Sequence, residues 1–222
     1  MIIAPKVLYF GTPVVLLSTE NDDASANLAP MSSAWALGQT VVLGLGPDGH
    51  TAHNLRSRPD LVINVPGPEL WAAVERIAAM TGSDPVPEHK QSTYSHERDK
   101  FGKAGLTPVP SVRVRPPRAA ECPLQLEARV AHMALDADGE FLIAQATVVT
   151  VHADPDIIVP NTSYIDPRRW SPLIYNFRHY FGLGEQLGHN FRSETKPLSA
   201  ADPLISDSNR QGVRRSVDQF SP

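Results

Sequence analysis

Residues 27–54, NLAPMSSAWALGQTVVLGLGPDGHTAHN, decide how this chain is read. They hold a Ser-rich edge (Met31, Ser32, Ser33, Ala34, Trp35), a strand over 40–44, a Gly-Pro-Asp-Gly turn and a helix start at Thr51. Gly44 to Gly49 has the G-x-G-x-x-G spacing of a dinucleotide fingerprint, but the surroundings reject it. The helix that follows is ended by Pro59, too short for a βαβ crossover, and Pro47 removes a backbone donor that a pyrophosphate needs. A smaller anion suits the same local physics, because a Gly turn feeding a helix points free N–H groups and the positive dipole end at one spot. Thr51 adds a hydroxyl there, Asn54 an amide one helical turn on, and His50 a cation. With a flat ring laid along residues 31–35, the stretch reads as a mononucleotide site. A plain β-turn with a Thr cap is the other reading, and the residues alone leave both open.

Outward from this stretch the chain alternates strands and turns. Residues 13–19 (PVVLLST) form an apolar run of strand length, 26–36 an irregular strand broken at Pro30, 40–45 a third strand and 61–65 (LVINV) a buried fourth. Gly67-Pro68 opens a helix, proline being pre-set for the first helical position. Leu70, Val74, Ile77 and Ala78 make its apolar stripe, and Gly82 is its expected stop. Residues 84–118 are a long proline-rich loop, of the length that serves as a lid, a partner arm or a linker. In residues 123–135, Leu124, Leu126 and Val130 alternate with Gln125, Glu127 and Arg129, which predicts a half-buried strand. A turn over 136–139 then leads into a long β-rich strand over 140–152 that pairs back on it. Residues 173–183 (LIYNFRHYFGL) read as a short aromatic helix, and 196–222 as a polar, mobile tail. The fold expected is mainly β, a β-barrel with flanking helices, over residues 1–195.

Composition narrows the classes. The 222 residues carry a net charge of −4 with no basic stripe, which argues against nucleic acid as a partner. No apolar run approaches the roughly 20 residues of a membrane span, and the N-terminus lacks a signal peptide pattern, so a cytoplasmic protein is expected. The chain has 21 prolines, against about 11 expected at a share of ~5%; the excess predicts extended, wrapping segments. One cysteine excludes an internal disulfide, and Cys122 reads as packing. His50 and His53 share a helix face but lack further ligands at metal spacing, so no metal site is expected. Neither Ser32 nor Ser33 sits in a G-x-S-x-G elbow, so no serine nucleophile is assigned. Trp35 reads more readily as core than as a stacking platform. Lys100 and Lys103 read as solvated, with a cation near the phosphate or the reduced ring as the functional alternative for both. His179 and Tyr180 read as core or dimer contacts.

The order and spacing of YFGTPVVLLST, NLAPMSSAW, GLGPDGHTAHNLR with LVINVP, DKFGKAGLTPVP, AECPLQLEARV and YFGLGEQLG, spanning residues 9–188, resemble the flavin reductase-like family of FMN-binding split barrels, which includes flavoredoxins. The resemblance implies a six-stranded, Greek-key-like split barrel that homodimerises with FMN near the subunit interface. It places the ring-facing strand on Met31, Ser32, Ser33, Ala34 and Trp35, and the phosphate on His50, Thr51 and Asn54. Many relatives have Arg or Lys in the phosphate turn where this chain has His50, which implies looser binding. The activity implied is an oxidoreductase that passes hydride from NAD(P)H to flavin N5, with reduced flavin supplied to a partner oxygenase. No catalytic residue is then required, because the cofactor carries the chemistry. A flavin-binding electron carrier without its own nicotinamide site is the alternative. A third reading is a barrel that binds haem through His50 or His179.

Overall fold

The computed structural model describes residues 1–193. Met1–Gly184 is one compact unit; the chain from Glu185 on forms a second, with no helix or strand among its described residues. The tail expected over 196–222 lies outside the described residues.

The main sheet has seven strands: β1 (Val15–Glu20), β2 (Ala26–Met31), β3 (Ala34–Leu37), β4 (Thr40–Leu45), β5 (Asp60–Val65), β6 (Leu124–Leu135) and β7 (Leu142–Ala153). They lie in the order β2-β1-β5-β6-β7-β4-β3, and every pair is antiparallel. The two edge strands, β2 and β3, are joined only by Ser32 and Ser33. In a flat sheet six spacings would part them by about 29 Å, whereas three residues of chain reach only about 10 Å. The sheet must therefore curl until its edges nearly meet, and the result is a half-barrel. The strand expected over 26–36 breaks at Ser32-Ser33 and not at Pro30, and each half supplies one edge. Counted as one, it makes the six strands that the resemblance implies. Pro30 stays inside β2 because an edge strand tolerates a missing N–H.

The continuous apolar run before the first turn is explained by burial on both faces. Val15 and Leu17 point into the barrel with Leu43, Leu45, Leu61, Ile63 and Ala144. Val14 and Leu16 point outward into a second core with two helices, α2 (Trp71–Ala78) and α3 (Lys100–Ala104). In α2 the buried residues are Ala73, Val74 and Ile77, preceded by a single 3-10 turn, Pro68–Leu70. The helix ends at Ala78, short of Gly82, because Met80–Thr81 pairs with Ser95–His96 as a parallel two-residue strand.

Two expectations fail for physical reasons. Residues 173–183 form a hairpin, Ile174–Asn176 with His179–Phe181, and not a helix. Phe177 and Arg178, at φ 45° and 68°, make the turn, and Ile174–Asn176 gains a second partner in Phe10–Pro13. Pairing with a distant strand overrides helix propensity there. The polar face of β6 is also not solvated. Gln125 is 7% exposed and Glu127 fully buried, because residues 110–119 cross over them. Glu127 accepts from the backbone N–H groups of Val112, Arg113 and Val114 and from His152 Nε2 at 2.6 Å. Burial pushes its pKa up, but the Val112 and Arg113 amides and His152 outweigh that and hold it below the usual value.

Glu127→Gln therefore should cost about 2–4 kcal/mol in denaturant unfolding at neutral pH, because four donors lose a charged acceptor. A carboxylate with a lowered folded pKa stabilises above its unfolded value, near 4.5, and that stability is lost as pH falls through the folded pKa. The wild-type advantage over the Gln variant is expected to shrink below pH 4.5.

Candidate functional site

A helix, α1 (His50–Ser57), presents a divided face to the half-barrel. Ala52 and Leu55 join the inner core, while Thr51 and Asn54, one turn apart, are buried beside them at 8% and 0% exposure. These two meet polar residues at the ends of β1 and β2. Asn54 Nδ2 donates to Thr19 Oγ1 at 3.1 Å and to Asn21 Oδ1 at 2.9 Å. Asn27 Nδ2 donates to Thr19 Oγ1 at 3.1 Å and, more weakly, to Thr51 Oγ1 at 3.4 Å. His50 Nε2 pairs with Asn21 Oδ1 at 2.8 Å.

Lys100 completes the group from the far side. Asp99 caps α3 by accepting from Gly102 N–H, and Phe101 and Ala104 anchor the helix in the outer core. The turn thereby aims Lys100 inward, where Nζ donates to Asn27 Oδ1 at 3.0 Å. Only 2% of Lys100 is exposed, and it meets no carboxylate among the described residues. Burial, with a small opposing pull from Glu97, takes its pKa down to about 8. Burial and the Lys100 charge also take His50 down to about 4, so His50 is neutral at neutral pH and the cation of this cluster is Lys100. Gly82 has its own reason here: a Cβ would collide with the His50 ring and touch Asn27 Oδ1. The Gly turn itself carries a carboxylate, Asp48, which Lys90 holds at 2.9 Å and His89 at 2.6 Å. The positive charge of the cluster therefore lies on the inward face of α1, beside the turn.

The Ser-rich edge forms the second half of the site. Ser33 O accepts from Gly44 N–H at 2.8 Å, and Tyr9 Oη lies 3.0 Å from Ser33 Oγ. A Cβ on Gly44 would sit 3.0 Å from that of Ser33, so the close approach needs glycine. Ser32 makes no side-chain hydrogen bond among the described residues. Met31 packs on the inner core and Ala34 is buried, but Trp35 is 58% exposed on the outer face, against the expectation of a core residue. Among the described residues the buried side-chain donor without a partner is Trp170 Nε1, beside the same core.

Strand β2 links the halves, with Asn27 at one end and Met31 leading into Ser33 at the other. The seven residues from Asn27 to Ser33 span roughly 20 Å of extended chain, a length that a flavin mononucleotide laid along the edge can cover. The donor set fits such a group: a buried cation, two amides and hydroxyls at one end, and hydroxyls with unpaired edge backbone at the other. The structure thus brings His50, Thr51, Asn54 and Lys100 into one cluster and keeps residues 31–35 as a separate edge. Sequence reasoning missed Tyr9, Thr19, Asn21, Asn27 and Gly82. The signal for Thr19 and Asn27 was alternation, since Thr19 continues the inward series Val15, Leu17 and faces Asn27 across the hairpin.

Residues 7–184 match the family described as flavin reductase like domain. An uncharacterized protein of Bacillus subtilis (strain 168), YdfE, is 46% identical over 195 residues, covering 87% of this chain and 94% of that protein. Among solved structures, the flavoredoxin of Desulfovibrio vulgaris (Miyazaki F) superposes with a TM-score of 0.70 at 20% identity, over 88% of this chain and 100% of that one. Nitrilotriacetate monooxygenase component B from Bacillus cereus gives 0.66 at 17% identity, over 82% and 88%.

Lys100→Met is expected to stabilise the ligand-free protein by on the order of 2 kcal/mol in urea at pH 7, because a buried unpaired charge is removed. With a folded pKa near 8 against 10.5, the wild type binds fewer protons folded than unfolded between those values. Its stability is therefore expected to rise with pH across that window, and this rise should vanish in the Met variant.

Proposed function

The chain belongs to the flavin reductase-like family, and on that premise we propose that it is an FMN-dependent oxidoreductase drawing hydride from NADH or NADPH. The observation that carries this reading is the buried Lys100, which meets no carboxylate among the described residues and donates to Asn27, itself bonded to Thr51 at the end of an edge strand. Such a cluster is costly unless an anion completes it, and a phosphate monoester does so. A bound flavin supplies hydride chemistry at its N5 edge. The protein's part is position and electrostatics: Lys100, Thr51 and Asn54 hold the phosphate, and the Ser32-Ser33 edge directs hydroxyl and backbone groups at the ring. No acid or base is needed from the chain.

Homodimerisation belongs to the same proposal. Trp35 and Leu37 on β3 share the outer face with Ile143 on β7, and Phe141 lies beyond it, at 58%, 75%, 41% and 57% exposure. An apolar patch of that kind marks an interaction surface, and a second copy that covers it would stand over the open edge. The resemblance to a monooxygenase component supports delivery of reduced flavin to a separate oxygenase.

Three measurements test the reading. FMN added to purified protein should give a bound-flavin spectrum that bleaches with NADH or NADPH under anaerobic conditions. Uptake without bleaching by either would leave a carrier, and no uptake would overturn the reading. Thr51→Ala with Asn54→Ala should weaken FMN by roughly 1.5–3 kcal/mol per lost charge-assisted bond, and an unchanged dissociation constant would sink the phosphate assignment. FMN affinity should also fall as pH rises through about 8, as the Lys100 charge is lost.

A further inference from the structure

The N-terminal segment reaches the open edge of the barrel for a reason the fold does not require. Phe10–Pro13 adds to Ile174–Asn176 as a short strand, and Phe177 N–H donates to Tyr9 O at 2.6 Å. Tyr9 is half-buried and its ring stands edge-on to Tyr175, with centroids 5.4 Å apart. Tyr175 in turn packs on Tyr180 at 5.6 Å, and Tyr180 Oη donates to Glu75 Oε2 at 2.9 Å on α2. A tyrosine fixed on its backbone and ring by the C-terminal hairpin has one free end, and that end meets Ser33 Oγ at 3.0 Å.

We propose that Tyr9 is a positioning residue for the flavin-ring edge of the site: its hydroxyl sets the direction in which Ser33 presents its own. This inference rests on the reading of residues 31–35 as the ring-facing edge. A serine hydroxyl carries one donor and two acceptor positions and rotates freely. Alone at an edge it spends its proton on whichever acceptor is nearest, the neighbouring backbone included. Held by a second hydroxyl it can do either of two things. If Tyr9 donates, the Ser33 proton is free to face an acceptor on the ligand; if Ser33 donates, its lone pairs face a ligand donor. A ring edge that is an acceptor when oxidised and a donor when reduced suits such a reversible pair. Ser33 cannot swing away from its place, because Gly44 N–H holds its carbonyl and the glycine allows the close contact. Ser32, with no protein partner for its hydroxyl among the described residues, lacks this control.

The test uses the full chain with FMN, in wild type, Tyr9→Phe, Ser33→Ala and the double variant. Tyr9→Phe keeps the ring that packs on Tyr175, and the phosphate cluster is untouched, so its FMN dissociation constant should stay within about threefold of wild type. The absorbance envelope of the bound flavin and its midpoint potential should both move, and reduction by the nicotinamide should slow about tenfold, the worth of one neutral hydrogen bond. Ser33→Ala should produce the same changes, and the double variant no more than either single, as two residues acting through one contact must. If Tyr9→Phe binds FMN like wild type with unchanged spectrum and potential, or if the two substitutions add, the role assigned to Tyr9 is overturned while the site stands. Failure of the wild type to take up FMN overturns the site reading itself, and the proposal with it. A Tyr9→Phe variant that loses FMN altogether would make the tyrosine a structural prop and also overturn the proposal; Tyr9→His, which restores a polar end, recovering the wild-type spectrum would support it.

Discussion

The two-residue link between the outermost strands governs this structure. Ser32 and Ser33 join β2 to β3, so a seven-stranded sheet has to curl until its two edges approach at that link for its own chain to remain connected. From that one requirement follow a sealed interior of aliphatic side chains, an outer face on β1 and β5 that needs its own cover, and a seam at which two edge strands leave backbone groups unpaired. Exposed edges are ordinarily a liability for aggregation. Here the seam is short and curved, and Ser33 already engages both Tyr9 and Gly44, which limits what can add to it.

The polar cluster at the far end of β2 sets stability against binding. Lys100, Asn27, Thr19, Thr51 and Asn54 are all buried, and each amide and hydroxyl finds a partner within the cluster. The lysine brings a charge that meets no carboxylate among the described residues, and burial lowers its pKa against only a small pull from Glu97. A chain selected for stability alone would place an apolar residue there. Keeping the charge is understandable where an anion arrives to neutralise it. The neutral state of His50 belongs to the same balance, since two cations in so small a volume would repel each other. The protein thus centres its positive charge on one group.

Much of the barrel was legible because its signals were local. The apolar run before the first turn, the strand over 40–45 and the long pair around the 136–139 turn follow from alternation and turn chemistry, and Thr40–Leu45 has those bounds. Errors came where distant partners decide. Tyr175 and Tyr180 lie on strands because Phe10–Pro13 pairs with their hairpin, which no window over 173–183 can reveal. The burial of Glu127 could not be read from alternation, because residues 112–114 turn their amides onto it. Within the polar cluster, the meeting of Thr51 and Asn54 on one helix face was readable from their one-turn spacing. Thr19 and Asn27 needed the inward alternation of β1 to be followed to its polar end, and Tyr9 was not readable, because its partners come from other parts of the chain. Gly82 was noticed for the wrong reason: it ends no helix, and its missing side chain leaves room for His50.

The proline-rich stretch over 84–118 ties these threads together. Its length suggested a lid, an arm or a linker, yet Phe101, Ala104, Leu106 and Val114 are buried in it, and Glu127 pins its far half to the sheet. It is a wall of the outer core. Covering the outer face of β1 and β5 needs apolar side chains on one side of the segment only, and a five-residue helix suffices to present them. That helix starts beside the edge strand, so its first residue overhangs the end of the sheet and enters the polar cluster. Lys100 therefore reaches the interior as a consequence of how Phe101 and Ala104 pack. Weakening that packing, for example at Phe101, would displace the cation as surely as replacing Lys100, and so the outer core and the polar cluster form one mechanical unit.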